Sequence, residues 1–324
     1  MLRVVEMAVA DLRHVADLEV VAVDDEADEN TAASVAAMLA SDPSVIAVVG
    51  HKNSGPSRAG GPVYAAAGLA QLTQSSTDNL LSRSGWKTFF RLCADNERQA
   101  VAAADFAHAH FETGPVTAVH DCTGYGRPLV EAFARRMAGL SSQKVRVIAI
   151  KVGQEDFSEV VHVIRSDDAG LVFIGATEVE GSNLTIAIRK AGIRAQVMTS
   201  EGGPHNPFPR LAGPAAEGSV HTYAGADLSA TPASRRLAER CVTEIGEAPS
   251  FAVECYDAVS VIAGAVAGGA ATRPQVRDAI ARSHVEGLAG RIRFDANGDR
   301  IDAPVSLWQI KDGRMTPVAE RVIR

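Results

Sequence analysis

Short apolar runs alternate with amphipathic segments along most of this 324-residue chain. Runs of four to six apolar residues predict buried strands, and apolar residues spaced three or four apart predict helices. Strands are expected at 18–23, 45–49, 69–72, 87–92, 116–120, 145–150, 170–174, 196–199, 219–223, 290–294 and 305–310. Helices are expected at 1–14, 30–40, 58–67, 95–110, 126–138, 157–165, 181–191, 233–245, 250–267 and 274–282. This alternation predicts an α/β protein with parallel sheets covered by helices on both faces.

The strand and helix series starts again after Gly114-Pro115 with a similar layout. A chain of this length exceeds one ordinary core, so we expect two similar Rossmann-like lobes. The chain opens on a helix, which is unusual for an α/β fold. We therefore expect that a first strand is missing ahead of Met1.

Composition excludes several classes of partner. The formal net charge is −7 without a Lys/Arg cluster, which argues against nucleic acid and anionic membrane surfaces. The longest apolar stretch, 258–271, is too short to span a bilayer and predicts a buried helix. Residues 1–6 carry charges where a signal peptide would be apolar, so none is expected in this sequence.

The four cysteines, at positions 93, 122, 241 and 255, have neither CxxC pairing nor metal-like spacing. We expect buried thiols and assign no disulfide.

One stretch organises the first half of the chain. Residues 45–49 form an apolar run rich in β-branched residues that stops at Gly50 and leads through Ser54 into a predicted helix. In open α/β sheets ligands bind at this edge, because the helix N-terminus offers free N–H groups to an anion. Ser54 would add a hydroxyl to that edge.

A second polar loop follows one unit later. The strand 69–72 leads into the hydroxyl-rich loop 73–77, and Asp78 and Asn79 are typical caps of a following helix. Two such loops at one sheet edge suit a carboxylate. Ser and Thr are also common in ordinary turns, and for this loop alone the turn interpretation is the stronger one.

In the second series the corresponding loops carry Tyr125, after strand 116–120, and Glu201, after strand 196–199. An aromatic ring and a carboxylate would complement the hydroxyl loops if the ligand carried both a carboxylate and an ammonium group. Taken alone, Glu201 is more simply a surface residue in a turn.

No reaction is specified by these motifs. The segment 50–55 lacks the Gly-Lys-Ser/Thr ending of a phosphate loop, and no GxGxxG or GxSxG motif is present. His51 at a strand exit is at least as consistent with a structural role. The sequence predicts no catalytic residue, no metal site and no cofactor.

Several short segments of the chain occur together in a specific order and spacing. They are Val48 to His51 with Ser54, Ser75 to Thr77, Phe90-Arg91 with Asp95 and Gln99, Asp121 with Tyr125-Gly126, Ser200 to Gly202, Tyr256 to Val259, Gly287 to Gly290, Phe294-Asp295 and Gly298-Asp299. With these segments the chain resembles a known family, the type I periplasmic solute-binding proteins, in the leucine/isoleucine/valine-binding branch that serves ABC transporters. The resemblance runs from about residue 1 to about residue 318.

The resemblance implies a site for an α-amino acid or a close analogue, gripped between lobes that close like a flytrap. Ser54 and Thr77 would hold the α-carboxylate, helped by groups near Ser75 and Ser76. Tyr125 and Glu201 would come from the other lobe, with Glu201 pairing with the α-ammonium.

The sequence departs from the family pattern in three respects. The first strand and its loop are missing. The cysteines at the usual disulfide positions are replaced, and Asp28 and Asn53 stand near those places. Lys52 replaces an apolar contact, and Thr177-Glu178 stands where leucine-type members carry aromatic residues. We therefore expect a polar pocket beyond the head group.

The predicted architecture is two lobes, 1–92 with 224–304 and 93–221 with 306–324, joined by three crossovers. The predicted function is a non-enzymatic, periplasmic or extracytoplasmic binding protein, lipid-anchored in its full-length form or free, that delivers its ligand to an ABC transporter permease without inserting into the membrane.

Three alternatives stay open. The same fold serves as a ligand-sensing regulatory domain for amides, aromatic acids or other small metabolites. A Rossmann-like enzyme would need a phosphate loop or a nucleophile–base pair. A missing strand would abolish binding or be supplied by a partner, since an unpaired sheet edge invites strand addition.

Overall fold

A computed structural model describes residues 1–111, 114–141, 144–200, 202–203 and 206–321. The helices in chain order are α1 (Leu2–Asp11), α2 (Glu29–Ser41), α3 (Ser54–Ala66), α4 (Asn79–Arg83), α5 (Asn96–His110), α6 (Gly126–Leu140), α7 (Ser158–Ser166), α8 (Glu178–Lys190), α9 (Phe208–Ala212), α10 (Pro232–Ile245), α11 (Ala252–Ala267) and α12 (Arg273–Ala281). The strands are β1 (Ala47–Val49), β2 (Ala70–Thr73), β3 (Phe89–Arg91), β4 (Val116–His120), β5 (Val145–Ala149), β6 (Leu171–Gly175), β7 (Gln196–Thr199), β8 (Val220–Tyr223), β9 (Val285–Gly287), β10 (Gly290–Ile292), β11 (Val305–Lys311) and β12 (Arg314–Arg321).

The chain divides into two compact units, and it passes between them three times. Unit 1 contains Met1–Asp95 and Ala224–Pro304, and unit 2 contains Asn96–Tyr223 and the chain from Val305. Unit 1 holds the parallel sheet β1-β2-β3 and the antiparallel hairpin β9-β10. Unit 2 holds one seven-stranded sheet, in the order β12-β11-β8-β7-β6-β4-β5. The prediction of an α/β fold with largely parallel sheets is confirmed.

Strand and helix alternation places polar loops at one edge of each parallel sheet. In unit 1, β1 leads into α3 and β2 leads toward α4 at the carboxyl ends of neighbouring parallel strands. In unit 2, β4, β6 and β7 are consecutive parallel neighbours whose exits also share one edge. These exits carry the polar loops that contain Ser54, Thr77, Tyr125 and Thr177.

Each sheet packs a core of buried apolar side chains against its helices. In unit 1, Leu72 and Phe90 from the sheet meet Val261 and Ile262 of α11. In unit 2, Phe133 of α6 stacks on Phe173 of β6 with ring centroids 4.0 Å apart. The predicted buried helix within 258–271 is confirmed as the second half of α11. Within the described residues no helix has the length and apolar character needed to cross a membrane.

The strand predicted at 18–23 is wrong. This segment forms no ladder with any described strand, and β1 pairs only with β2. Val20, Val21 and Val23 are 36%, 56% and 40% exposed. A β-branched run becomes a strand only when a neighbour pairs with its backbone groups, so its propensity has no effect here.

The structure adds elements that the pattern did not predict, namely α9, a 3₁₀ turn at Gly213–Ala216, β9 and β12. β12 was missed because Pro317 and interspersed polar residues break its pattern. The strand lies at the edge of its sheet beside a register shift in β11, where a proline is tolerated. The expectation of buried thiols holds for three cysteines, whereas Cys122 is exposed; all four are free.

Two carboxylates of α11 are fully buried in unit 1. Glu254 Oε1 accepts the Ala226 N–H at 2.7 Å, and Asp257 Oδ1 accepts the Leu288 N–H at 2.8 Å. Arg300 Nη1 lies 3.7 Å from Asp257. Burial raises the pKa of Glu254 to about 7 and that of Asp257 to about 6, because the charged forms lose water.

This burial predicts a stability that falls as pH rises. Because the pKa of Glu254 in the folded state exceeds its ordinary value of 4.5, the folded protein binds the proton more tightly. The resulting stability is present at acid pH and is lost as pH rises through about 7. Glu254→Gln keeps an acceptor for Ala226 and has no proton to lose, so the decrease between pH 5 and pH 8 should be smaller by on the order of 1–3 kcal/mol. Urea unfolding at both pH values measures it, and equal decreases in the two proteins would contradict the assignment.

Candidate functional site

In unit 1, two loops lie side by side at the carboxyl ends of β1 and β2. We call them the hydroxyl loops, residues 51–54 and 74–78. Ser54 is the first residue of α3 and is buried, and its Oγ accepts the Asp78 N–H at 3.3 Å. Lys52 is exposed in the same loop. The prediction that both loops meet at one sheet edge is confirmed by this contact.

Side-chain hydroxyls hold the two hydroxyl loops together. Thr73 and Ser76 both donate to the carbonyl oxygen of His51, at 2.9 and 3.0 Å. Ser75 donates to the carbonyl oxygen of Lys52 at 2.8 Å. The hydroxyls of Ser75 and Ser76 are therefore engaged within unit 1, and they fix the loops in place.

Arg91 holds the backbone of the second hydroxyl loop, residues 74–78, in place. It is fully buried, and its Nη1 donates to the carbonyl oxygens of Ser76 and Asp78 at 3.2 and 2.8 Å. Its Nε and Nη2 donate to Asp299 at 2.9 and 2.6 Å, which compensates the buried charge. Because both contacted carbonyl groups flank Thr77, Arg91 fixes the backbone around that residue.

Two hydroxyls at this edge remain available for a ligand. Thr77 is only 3% exposed, and its Oγ1 has no hydrogen-bond partner among the residues that the structure describes. Ser54 accepts a hydrogen bond but donates none to a described residue. A buried hydroxyl without a partner is unfavourable, so a ligand acceptor here would remove a cost.

His51 has a structural role. Its Nδ1 lies 2.6 Å from Asp25 Oδ2, and its Nε2 lies 3.1 Å from the Tyr64 hydroxyl. It is buried and stacks on the Tyr64 ring. These contacts favour the structural interpretation of this histidine.

In unit 2, Asp121 organises the loop after β4. Its Oδ1 accepts the N–H and the hydroxyl of Thr123 at 3.0 and 2.6 Å, and its Oδ2 accepts the Thr177 N–H at 3.3 Å. Gly126 is the first residue of α6. A glycine is needed there, because a Cβ at this position would overlap Asp121 and the Gly175 carbonyl oxygen. The carboxylate thus joins the loops after β4 and β6.

Tyr125 is held against the loop after β7. Its hydroxyl donates to the Ser200 carbonyl oxygen at 3.1 Å, and Gln99 Nε2 donates to the same oxygen at 2.6 Å. The Ser200 Oγ is buried and finds no partner within the described part of the chain. The structure therefore places Tyr125 beside the residue that precedes Glu201. Glu201 itself lies outside the described residues.

Thr177 and Glu178 have different surroundings. The Thr177 hydroxyl donates to Glu180, which also accepts the Gly153 N–H at 3.0 Å. Burial opposes ionisation of Glu180, but these hydrogen bonds outweigh it and hold the pKa below its ordinary value. Glu178 is the first residue of α8 and is half-buried. The Thr177 hydroxyl thus serves the loop, whereas Glu178 has no such engagement among the described residues.

Sequence reasoning gave no role to the buried supports, Arg91, Gln99, Asp121 and Glu180. Asp121 carried a usable signal, since an aspartate two residues before a threonine at a strand exit is typical of an Asx turn. Arg91 carried none, because its partner Asp299 lies 208 positions away. Among the described residues, no cluster of three His, Cys, Asp or Glu side chains suits a metal ion.

Comparisons with known proteins agree with this fold. A family model described as periplasmic binding protein matches residues 1–314. A Leu/Ile/Val-binding protein homolog 1 of Brucella melitensis is 27% identical over 85% of this chain and 74% of its own length.

Solved structures support the same architecture. The leucine-binding protein LivK of Thermotoga maritima superposes with a TM-score of 0.88 at 23% identity, over 98% of this chain and 93% of that one. The branched-chain substrate-binding protein LivJ of Streptococcus pneumoniae, solved with isoleucine, gives 0.87 at 20% identity, over 99% and 93%. The resemblance inferred from the sequence is thereby confirmed. The chain belongs to the periplasmic binding protein family.

Proposed function

We propose that this protein is an extracytoplasmic solute-binding protein that captures an α-amino acid or a close analogue and delivers it to an ABC transporter. The observation that carries the proposal is the buried Thr77 hydroxyl, which has no partner among the described residues and lies in a loop joined to Ser54. The relatives named for leucine, isoleucine and valine binding support the ligand class.

The α-carboxylate would bind at the hydroxyl loops. Ser54 and Thr77 supply hydroxyl donors, and the N-terminus of α3 supplies free N–H groups and a partial positive charge. Asn53 at the N-cap makes no side-chain hydrogen bond to that helix end, so these groups are not already capped by it. Hydrogen bonds to a charged carboxylate are stronger than those between neutral groups.

The ammonium group would be bound by unit 2. We assign Glu201 as its carboxylate partner and Tyr125 as a neighbouring contact, with Glu178 and Thr177 nearer the ligand side chain. A ligand that contacts both units favours the arrangement in which all contacts are made, by its differential affinity for that state. The two units would act as lobes, and the three passages between them would be the hinge.

The first prediction for this site concerns the carboxylate contacts. The double variant Ser54→Ala/Thr77→Ala should weaken amino-acid binding at least about 100-fold, since each lost hydrogen bond to a charged group is worth about 1.5–3 kcal/mol. Calorimetry after a thermal-shift screen of the twenty amino acids measures the loss. The matched control Ser34→Ala/Ser41→Ala removes two exposed hydroxyls of α2 and should bind normally. Undiminished affinity in the site variant would refute the site.

The second prediction separates the two ends of the ligand. Glu201→Gln should weaken binding of an α-amino acid about tenfold or more, because the ammonium loses its ionic partner. The matching α-hydroxy acid lacks that ammonium and should lose much less. Glu159→Gln, an exposed glutamate in the first turn of α7, is the control. Equal losses for both ligands would show that Glu201 does not contact the ammonium.

A further inference from the structure

Arg91 uses its whole guanidinium group inside unit 1. An arginine side chain has five N–H donors in a fixed plane. At Arg91 these donors make five hydrogen bonds of 2.6–3.2 Å, two to Asp299 and one each to the Ser76 and Asp78 carbonyl oxygens and the Ser82 hydroxyl. The residue is fully buried. No N–H of this guanidinium is left for a ligand, so Arg91 acts on binding through the groups that it holds.

One of these contacts sets the direction of the Thr77 N–H group. In a trans peptide the C=O and N–H groups point in opposite directions. Arg91 Nη1 donates to the Ser76 carbonyl oxygen, and the N–H of that same peptide group belongs to Thr77, so it points away from the guanidinium. Neither this N–H nor the Thr77 hydroxyl has an acceptor among the described residues. Arg91 therefore fixes a backbone donor beside the hydroxyl that we assign to the ligand carboxylate.

Asp299 is presented to Arg91 by a compact turn, residues 295–299, which we call the 295–299 turn. Asp295 Oδ1 accepts the Asp299 N–H at 3.0 Å and closes the turn. The Gly298 carbonyl oxygen accepts the Arg91 N–H at 2.9 Å, and a Cβ at Gly298 would overlap the backbone of β3. The turn is therefore packed directly on β3, and the Asp299 carboxylate has a defined position.

Asp299 also balances the charge of Arg91. A buried guanidinium is unfavourable unless a carboxylate pairs with it, and removing that partner is strongly destabilising. Asp299 Oδ1 accepts two of the five Arg91 donors, at 2.9 and 2.6 Å. Without the negative charge at Asp299, the guanidinium would lose the partner that keeps it beneath the second hydroxyl loop.

From this chain of contacts we propose that Asp299 is a positioning residue for ligand binding, because through Arg91 it holds the Thr77 N–H and hydroxyl where they receive the ligand carboxylate. The inference rests on the proposed function, since it takes Thr77 as a carboxylate contact. It gives the 295–299 turn, 208 positions along the chain from Arg91, a share in the affinity without any contact to the ligand. A geometry that exists before binding lowers the cost of ordering the site.

Asp299→Asn tests the assignment, because it removes the charge and keeps the size of the side chain. Calorimetry with the tightest-binding of the twenty amino acids should show an affinity about 3- to 30-fold lower than that of the wild type. Asp302→Asn is the matched control. Asp302 pairs with Arg293 at 3.0 Å and has no described contact with Arg91, so this variant should bind normally.

A double-mutant cycle with Thr77→Ala separates positioning from a general loss of stability. If Asp299 acts through Thr77, the double variant should bind at least about threefold more tightly than the product of the two single losses predicts. A purely structural effect would give the full product. Amide exchange at 76–78 should also be faster in Asp299→Asn without amino acid, as the loop loses its support.

Urea unfolding shows whether each variant is folded. If Asp299→Asn does not fold, Ser82→Ala takes its place, because Ser82 supplies a neutral acceptor to the same guanidinium at 3.0 Å. This variant should weaken binding about twofold or more, again less than additively with Thr77→Ala.

The outcomes separate this inference from the proposed function. If amino acids bind the wild type, and the folded variant binds them equally well or its loss multiplies in full with that of Thr77→Ala, the inference is overturned while amino-acid binding stands. If none of the twenty amino acids binds the wild type, the proposed function fails and the inference fails with it.

Discussion

The candidate site depends on how two neighbouring loops are held together at the carboxyl ends of β1 and β2. The carbonyl oxygens of His51 and Lys52 accept hydroxyls of Ser76 and Ser75 from the loop after β2, and Arg91 donates to backbone carbonyl oxygens of that loop. Among the described residues, these contacts leave the Thr77 hydroxyl without a partner and the Ser54 hydroxyl without an acceptor. A rigid edge with two available hydroxyl donors beside a helix N-terminus is suited to bind an anion, because its geometry exists before the ligand arrives.

In unit 2 the loops at the sheet edge are held together by carboxylates, whereas hydroxyls hold them together in unit 1. Its loops are joined by carboxylates, Asp121 and Glu180, which accept N–H and hydroxyl groups from the loops after β4, β5 and β6. Both acids are buried and engaged, so they support the loops and are not free to meet an ammonium. Among the described acids of these loops, Glu178 has no such engagement, which makes it a candidate for ligand contact. An acidic residue at a strand exit therefore cannot be assigned to ligand binding or to loop support from the sequence alone.

Much of the fold follows from local patterning. The predicted bounds of 116–120 and 196–199 match β4 and β7 residue for residue, because residues 116–119 and 197–199 are all apolar or β-branched. The segment 18–23 has equal strand propensity and forms no strand, since pairing depends on a neighbour that periodicity does not reveal. The loops at the sheet edge were predictable from topology alone. The buried residues that support these loops could not be predicted. Arg91 contacts Asp299, which is 208 positions away, and Gln99 contacts Ser200, which is 101 positions away.

The central claim is that the two hydroxyl loops bind the ligand carboxylate. Hydrogen–deuterium exchange of the wild-type protein, with and without its best amino acid from the thermal screen, tests it most directly. The account predicts strong ligand-dependent protection of amides at 52–57 and 76–78, where the N–H groups of α3 and the backbone around Thr77 meet the carboxylate. Protection confined to other parts of the chain, with these two segments unchanged, would contradict it.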